Sequence, residues 1–278
     1  MTNVSRIAWV VGVGASRGLG AASARRFARE GYKVAVTGRS SDALQVIVDE
    51  IVAAGGQAIP ATGDAQQEAG MVDILDRLES IGPVEVGVYN AGNAIWGPPL
   101  ETKTTDFEAM WRVGCLGGFI FGREVARRML PRGHGTIIYS GASAALRGRA
   151  AFAAFAAAKA GLRMVSQSFA REFGPRGIHV AHVIIDGSIE GDKIFSKIPD
   201  IGRQKGPDGP LDSDAIADSF GIYIRNIVLL GRRSSMCVHM QKPFELGRLI
   251  SSHRSRRGIF GLGLSNMTLL VFSDPSVS

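Results

Sequence analysis

Ile7-Ala-Trp-Val-Val-Gly-Val13 runs into Gly14-Ala-Ser-Arg-Gly18-Leu-Gly20. The first part is a short apolar run bounded by glycines, the pattern of a strand buried on both faces of a parallel sheet. The second spaces its glycines G-x-x-x-G-x-G, and Ala21 to Gly31 continues with helical periodicity and a glycine stop. Strand, glycine loop and helix in that order form a phosphate cradle. Missing Cβ atoms let backbone N–H groups approach a diphosphate, and the helix N-terminus favours negative charge. A glycine-rich turn alone is weak evidence, because ordinary turns share it.

The same alternation continues outward from this unit. Strands are expected at Lys33–Thr37, Gln57–Ala61, Val84–Tyr89, Thr136–Tyr139 and Ile178–Ile185. Helices are expected at Asp42–Ala54, Gln66–Ile81, Phe107–Leu130 and Ala150–Phe173. Strands alternating with helices across short loops predict an α/β fold, a single doubly wound Rossmann-type parallel sheet with helices on both faces. Ligands in such sheets bind beyond the carboxyl ends of the strands. The glycine loop, Arg39, Asp64, Asn90, Ser140 to Ser143 and Asp186 to Ile189 all fall at those ends.

Composition narrows the class. The chain has 278 residues, 45% of them hydrophobic, with 36 glycines, which suits one large globular domain. Cys115 and Cys237 give neither a disulfide framework nor a metal spacing, so a reducing cytoplasm is the expected setting. His179 and His182 would point to opposite faces of a strand, and no metal site is expected. The N-terminus shows no secretory pattern, and no apolar run approaches the roughly 18–20 residues of a membrane helix.

The net charge of +7 is uneven. Residues 1–220 hold 24 Lys and Arg against 23 Asp and Glu, whereas 221–278 hold 8 against 2. The body is nearly neutral, which removes most of the case for nucleic-acid binding. Arg39, at the end of the second strand, suits a ribose 2′-phosphate where an acid would suit a 2′-hydroxyl; Arg17 adds a cation nearby. NADP is therefore expected over NAD, unless both arginines are ordinary solvated side chains. Asp64 either accepts from an adenine amino group or caps a turn.

Taken together, Gly14-Ala-Ser-Arg-Gly-Leu-Gly20, Asp64, Asn90-Ala-Gly92, the Ser140–Ser143 region and Lys159 resemble a short-chain dehydrogenase/reductase over about residues 5–220. The resemblance implies that Gly14, Ser16, Arg17, Gly18, Leu19 and Gly20 surround the cofactor diphosphate. It implies that Asp64 and Ala65 meet the adenine, that Asn90, Ala91 and Gly92 pack on the ribose, that Lys159 binds the nicotinamide ribose and that Ile189 meets the carboxamide. It further implies a small-molecule substrate, a carbonyl, an alcohol or an activated double bond, and assembly as a homodimer or homotetramer.

The departures are equally specific. The family's catalytic Tyr aligns with Phe155, its Ser with Ala142, with Ser143 adjacent, and its helix Asn with Gly114. The usual Pro-Gly after the sixth strand is Asp186-Gly187. The family Tyr supplies a proton to the developing alkoxide, and Phe155 cannot; losing a general acid costs about 10²–10⁴ in rate. Either Ser143, Tyr139 or a water at Lys159 supplies the proton, or the substrate needs none, or the chain is a catalytically silent NADP-binding sensor or interaction protein. Phe155 is otherwise a plain apolar helix residue.

The end of the chain loses the family pattern. From Gly221 the usual helix and seventh strand are not legible, and Thr268–Phe272 is the best substitute strand. The division falls at 220, with 221–278 an atypical basic tail. A reading frame one base earlier would turn Phe220-Gly221 and Leu230-Gly231 into Trp codons ten residues apart, given U-ending codons. Members of the resembled branch carry two Trp residues at that separation near their end. The tail is therefore expected to be out of frame with its relatives. Its alternative reading is a basic interaction arm around Arg254-Ser-Arg-Arg257.

Overall fold

A computed structural model of the chain describes residues 5–92, 95–200, 209–230, 236–241, 259–264 and 267–273. The strands are β1 (Ile7–Val11), β2 (Lys33–Gly38), β3 (Gln57–Thr62), β4 (Val84–Tyr89), β5 (Gly135–Ser140), β6 (Ile178–Ile185), β7 (Met236–Gln241), β8 (Ile259–Leu264) and β9 (Met267–Ser273). They form one sheet in the order β3-β2-β1-β4-β5-β6-β7-β9-β8. β1 to β7 run parallel, and β9 and β8 add antiparallel. The order reverses between β1 and β4, so a crevice opens at their carboxyl ends.

Alternation along the strands divides the core between two faces. Ala8 and Val10 face the helices α1 (Leu19–Arg29), α2 (Ser41–Ala53) and α8 (Ser213–Leu230). Ile7, Trp9 and Val11 face α3 (Glu68–Ile81), α5 (Gly117–Met129) and α6 (Ala153–Phe173). Both faces of the central strands are buried, which is why their sequences are continuously apolar. Pro60 lies in β3, which is at the sheet edge, where a missing N–H is tolerated.

Three expectations are corrected. The first strand ends at Val11 because Gly12 takes φ +93, and the Gly12 and Val13 amides both donate to the Thr37 carbonyl at 2.9 Å. The helix expected over Phe107–Leu130 is α4 (Thr104–Trp111), a π-helical stretch over Arg112–Leu116, and then α5. Crowding accounts for the glycines here: a Cβ on Gly117 would stand 2.3 Å from the Tyr89 hydroxyl, and one on Gly114 would stand 2.9 Å from the Ala158 Cβ. The Tyr89 hydroxyl donates to the Val113 carbonyl at 2.6 Å within the widened turn.

The third concerns the seventh strand. Met236–Gln241 fills that place parallel to β6, and Thr268–Phe272 lies one position further out, in β9. The sequence concealed β7 because Met236-Cys-Val-His-Met-Gln241 is short and lacks clear alternation. α8 runs through residue 220, where the sequence was divided. The Arg254–Arg257 cluster lies outside the described residues.

Candidate cofactor and catalytic site

A cavity of about 480 Å³ opens over the carboxyl ends of β1, β2 and β4. Of the expected nucleotide contacts, Gly14, Arg17, Gly18, Leu19, Gly20, Arg39, Asp64, Ala65, Asn90, Ala91, Gly92 and Ile189 line it. Ser16 does not: its hydroxyl donates to Glu50 Oε1 at 2.6 Å, and Arg25 lies against its carbonyl. Thr37, Gly63, Val113 and Lys193 also line the wall, though no spacing in the sequence marked them.

The floor is built from backbone contact that excludes side chains. A Cβ on Gly12 would stand 2.2 Å from the Ala91 nitrogen, and one on Gly20 would stand 2.6 Å from the Gly12 carbonyl oxygen. α1 therefore starts directly against β1 and β4, with its free amides toward the cavity. A Cβ on Gly14 would meet nothing within 4 Å, so this position borders open space. Asn90 fixes the opposite wall, its side-chain amide donating to the Gly12 carbonyl at 3.1 Å. An apolar floor, free helix amides and an open glycine edge fit a dinucleotide diphosphate.

The cationic residues are used differently. Arg39 is exposed at the end of β2 and has no hydrogen bond or ion pair among the described residues. Arg17 is engaged: its guanidinium lies 3.3 Å from Glu190 and 3.9 Å from Asp192, and 5.2 Å from the centre of the Phe195 ring. The Asp192 amide donates to the Arg17 carbonyl at 3.1 Å. The segment after β6, with the short helix α7 (Asp192–Lys197), therefore clasps the glycine loop. Asp64 Oδ1 accepts from the Gln66 amide at 3.0 Å, the turn-capping role among its two readings.

Lys159 stands one wall behind the cavity. It is buried on α6, and its ammonium donates to the Ser140 carbonyl at 2.8 Å. Its Nζ would be 3.8 Å from a Cβ on Gly92, so it reaches the cavity edge. Burial, and then the neighbouring Lys193 charge, lower its pKa to about 8. Lys193 donates to the Gly92 carbonyl at 3.1 Å. Two ammonium groups thus meet at Gly92.

Phe155 lies one turn before Lys159, with its ring centre 5.8 Å from the ammonium. Ser143 is half-buried in the short turn Ser143–Ala145, and its hydroxyl has no hydrogen-bond partner among the described residues. Tyr139 is excluded as a proton donor. It is wholly buried, points into α5 with its hydroxyl toward the Gly118 carbonyl at 3.3 Å, and burial raises its pKa. Trp96 and Phe152, which no motif in the sequence marks, stack beside Phe155 with ring centres 6.0 Å apart. Their signal was position: Trp96 follows β4 at the carboxyl edge.

The sequence profile described as short chain dehydrogenase matches residues 8–191, more than half of the chain. The chain belongs to the short-chain dehydrogenase family. This short-chain dehydrogenase is 36% identical over 171 residues to the short-chain dehydrogenase/reductase eriH of Hericium erinaceus, covering 59% of this chain and 68% of that one. It is 35% identical over 181 residues to the 3-oxoacyl-acyl-carrier-protein reductase FabG of Escherichia coli, covering 64% and 72%. A solved short-chain dehydrogenase from Rhodopseudomonas palustris superposes with a TM-score of 0.68 at 37% identity, covering 79% of this chain and 92% of that one. A metagenomic short-chain oxidoreductase solved in complex with NADP superposes with a TM-score of 0.66 at 27% identity, covering 79% and 90%. Family membership makes this an oxidoreductase with an NAD(P)-type Rossmann fold. Among the described residues no helix is long and apolar enough to cross a membrane, and no group of three acidic, His or Cys side chains could hold a metal.

Proposed function

We propose that the chain is an NADP(H)-dependent oxidoreductase that works without a phenolic acid, Phe155 standing where the family places its catalytic Tyr. One observation carries the cofactor choice: Arg39 has no hydrogen bond or ion pair among the described residues and stands at the rim of the glycine cradle, at the end of β2. A cation there suits a ribose 2′-phosphate through charge-assisted hydrogen bonds, which the neutral 2′-hydroxyl of NAD cannot match. When bound, the reduced nicotinamide supplies a hydride.

The chain's own residues hold and orient. Gly14, Gly18, Leu19 and Gly20 would surround the diphosphate, and Asn90, Ala91 and Gly92 the ribose next to the nicotinamide. Lys159 serves as ribose ligand and, as an ammonium, stabilises negative charge developing at the reacting end. Ile189 supplies apolar contact on the far wall. Ser143 is the one hydroxyl left in the turn after β5, so any proton given by the protein comes from Ser143 or from water held at Lys159. The reaction is hydride transfer to or from a small carbonyl, alcohol or activated double bond.

The test is a fluorescence titration with NADPH and NADH on wild type and Arg39→Ala. NADPH should bind more tightly, and the variant should lose about 10- to 100-fold of that affinity with NADH unchanged, as expected for a charge-assisted hydrogen bond. Equal affinity for both cofactors in wild type would overturn the NADP assignment; no binding of either would overturn the proposal. Turnover on a carbonyl panel then separates an active enzyme from a silent binder.

A further inference from the structure

The reacting end of the cleft has an aromatic wall. The Trp96 ring is nearly parallel to that of Phe152, 22° apart, with centres 6.0 Å apart. The Phe152 ring meets Phe155 edge-on at 6.3 Å, and Phe155 leads to the Lys159 ammonium at 5.8 Å. The neighbouring Ile95 lines the cofactor cavity, so the wall continues the cleft. Trp96 is 39% exposed and Phe152 and Phe155 are partly exposed, so part of each side chain is accessible to a ligand.

The wall is held in place at a cost. Ala151, just before Phe152, has φ 66 and is the one non-glycine residue in the left-handed region among the described residues. Its carbonyl accepts from the Gly97 amide at 2.9 Å, tying the Trp96 loop to the start of α6. A strained alanine persists where its surroundings require that shape.

Among the described residues, no phenol faces this wall. Phe155 cannot ionise, Tyr139 is turned into the core, and of the acids after β6 Asp186 accepts from Arg147 at 3.2 Å while Glu190 and Asp192 face Arg17. The nearby charges are the ammonium groups of Lys159 and Lys193. Such a site favours an acceptor that is flat enough to stack and becomes a delocalised anion without needing a proton from the protein. A saturated ketone gives a localised alkoxide and lacks both properties.

We infer that the substrate is a planar quinone, stacked on Trp96 and Phe152 with its reduced oxygen near Lys159. This inference rests on the proposed NADP(H) dependence. The acceptor gains a hydride, two electrons and one hydrogen, from a reduced nicotinamide, which is oxidised. The ring becomes aromatic; one oxygen carries the new hydrogen and the other is left as a phenolate. The phenolate is stabilised by the two ammonium groups and takes its proton from water.

The test uses 1,4-naphthoquinone and, as the saturated comparison, 1-decalone. Calorimetry on cofactor-free protein reads naphthoquinone binding directly; Trp96→Ala and Phe152→Leu should each weaken it about five- to tenfold. With NADPH present, the quinone should be reduced above the protein-free rate and decalone should not. Unchanged quinone affinity in both variants overturns the inference, as does decalone turnover without quinone turnover. The two readings fail separately: absent NADPH binding defeats the cofactor proposal, whereas absent quinone binding defeats the substrate class alone.

Discussion

The Lys159 ammonium faces the ring of Phe155 at 5.8 Å, a cation against an aromatic face with no hydroxyl between them. The attraction is electrostatic and modest. It keeps the lysine charge at the cavity edge, beside a ring that has no proton to exchange with it.

Phe155→Tyr would place a phenol on a scaffold whose lysine is already beside it. A phenol beside an ammonium ionises more readily than in water. The variant should gain about 10²–10⁴ in kcat for ordinary ketones, the range for adding a general acid. Steady-state kinetics on a saturated ketone with NADPH checks this; no gain would show that Ala142 and Gly114 also limit the site.

Lys159 should leave a mark on stability against pH. Its folded-state pKa, about 8, lies below the ordinary lysine value of 10.5. Between those values the unfolded chain holds a proton that the native chain has released, so this group makes stability rise with pH. Buried Tyr89, Tyr139 and Cys115, whose pKa values are raised, act in the opposite direction. The difference between wild type and Lys159→Met isolates the lysine: it should shift in favour of wild type from pH 8 to 10 and stay flat from 6 to 7. Denaturant midpoints of the cofactor-free proteins read it.

Gly114 and Ala158 set how closely the π-helical turn approaches α6. An Asn at 114 places its Cβ within 2.9 Å of the Ala158 Cβ, which cannot swing aside. Gly114→Asn should cost about 1–3 kcal/mol, and adding Ala158→Gly should recover much of it. Thermal melts of the single and double variants decide this; a neutral single variant would show that the helices part freely.

Glu124 predicts behaviour in acid. Burial tends to raise its pKa, but hydrogen bonds from Arg127, Arg128 and Arg123 overcome that and hold it at about 2. The group stabilises the fold above the ordinary carboxylate value of 4.5, and that contribution is lost as pH falls toward 2. Glu124→Gln should remove about 2 kcal/mol at pH 7, allowing for screening of the partly exposed arginines, and little at pH 2. Urea unfolding at both pH values measures it.

Residues Ile7 to Gly20 and the alternation that follows determined the parallel sheet without reference to coordinates. Continuous apolar runs can be buried only on both faces, and glycines at that spacing admit a close helix–strand contact. Most of the residues that line the cavity were legible for the same reason: strand ends are local, and the topology collects them on one edge. Pairing was not legible. Met236–Gln241 becomes β7 because β6 presents an open edge, a property of β6 rather than of those six residues. The orientation of Tyr139 into the core, the diversion of Ser16 to Glu50 and the capture of Arg17 by Glu190 and Asp192 depend on partners distant in sequence. Phe155 shows both limits. Its identity alone shows a side chain with no proton to give, but its place in an aromatic wall with Trp96 and Phe152 exists only once the β4 loop is tied to α6, a contact between residues that no sequence period connects.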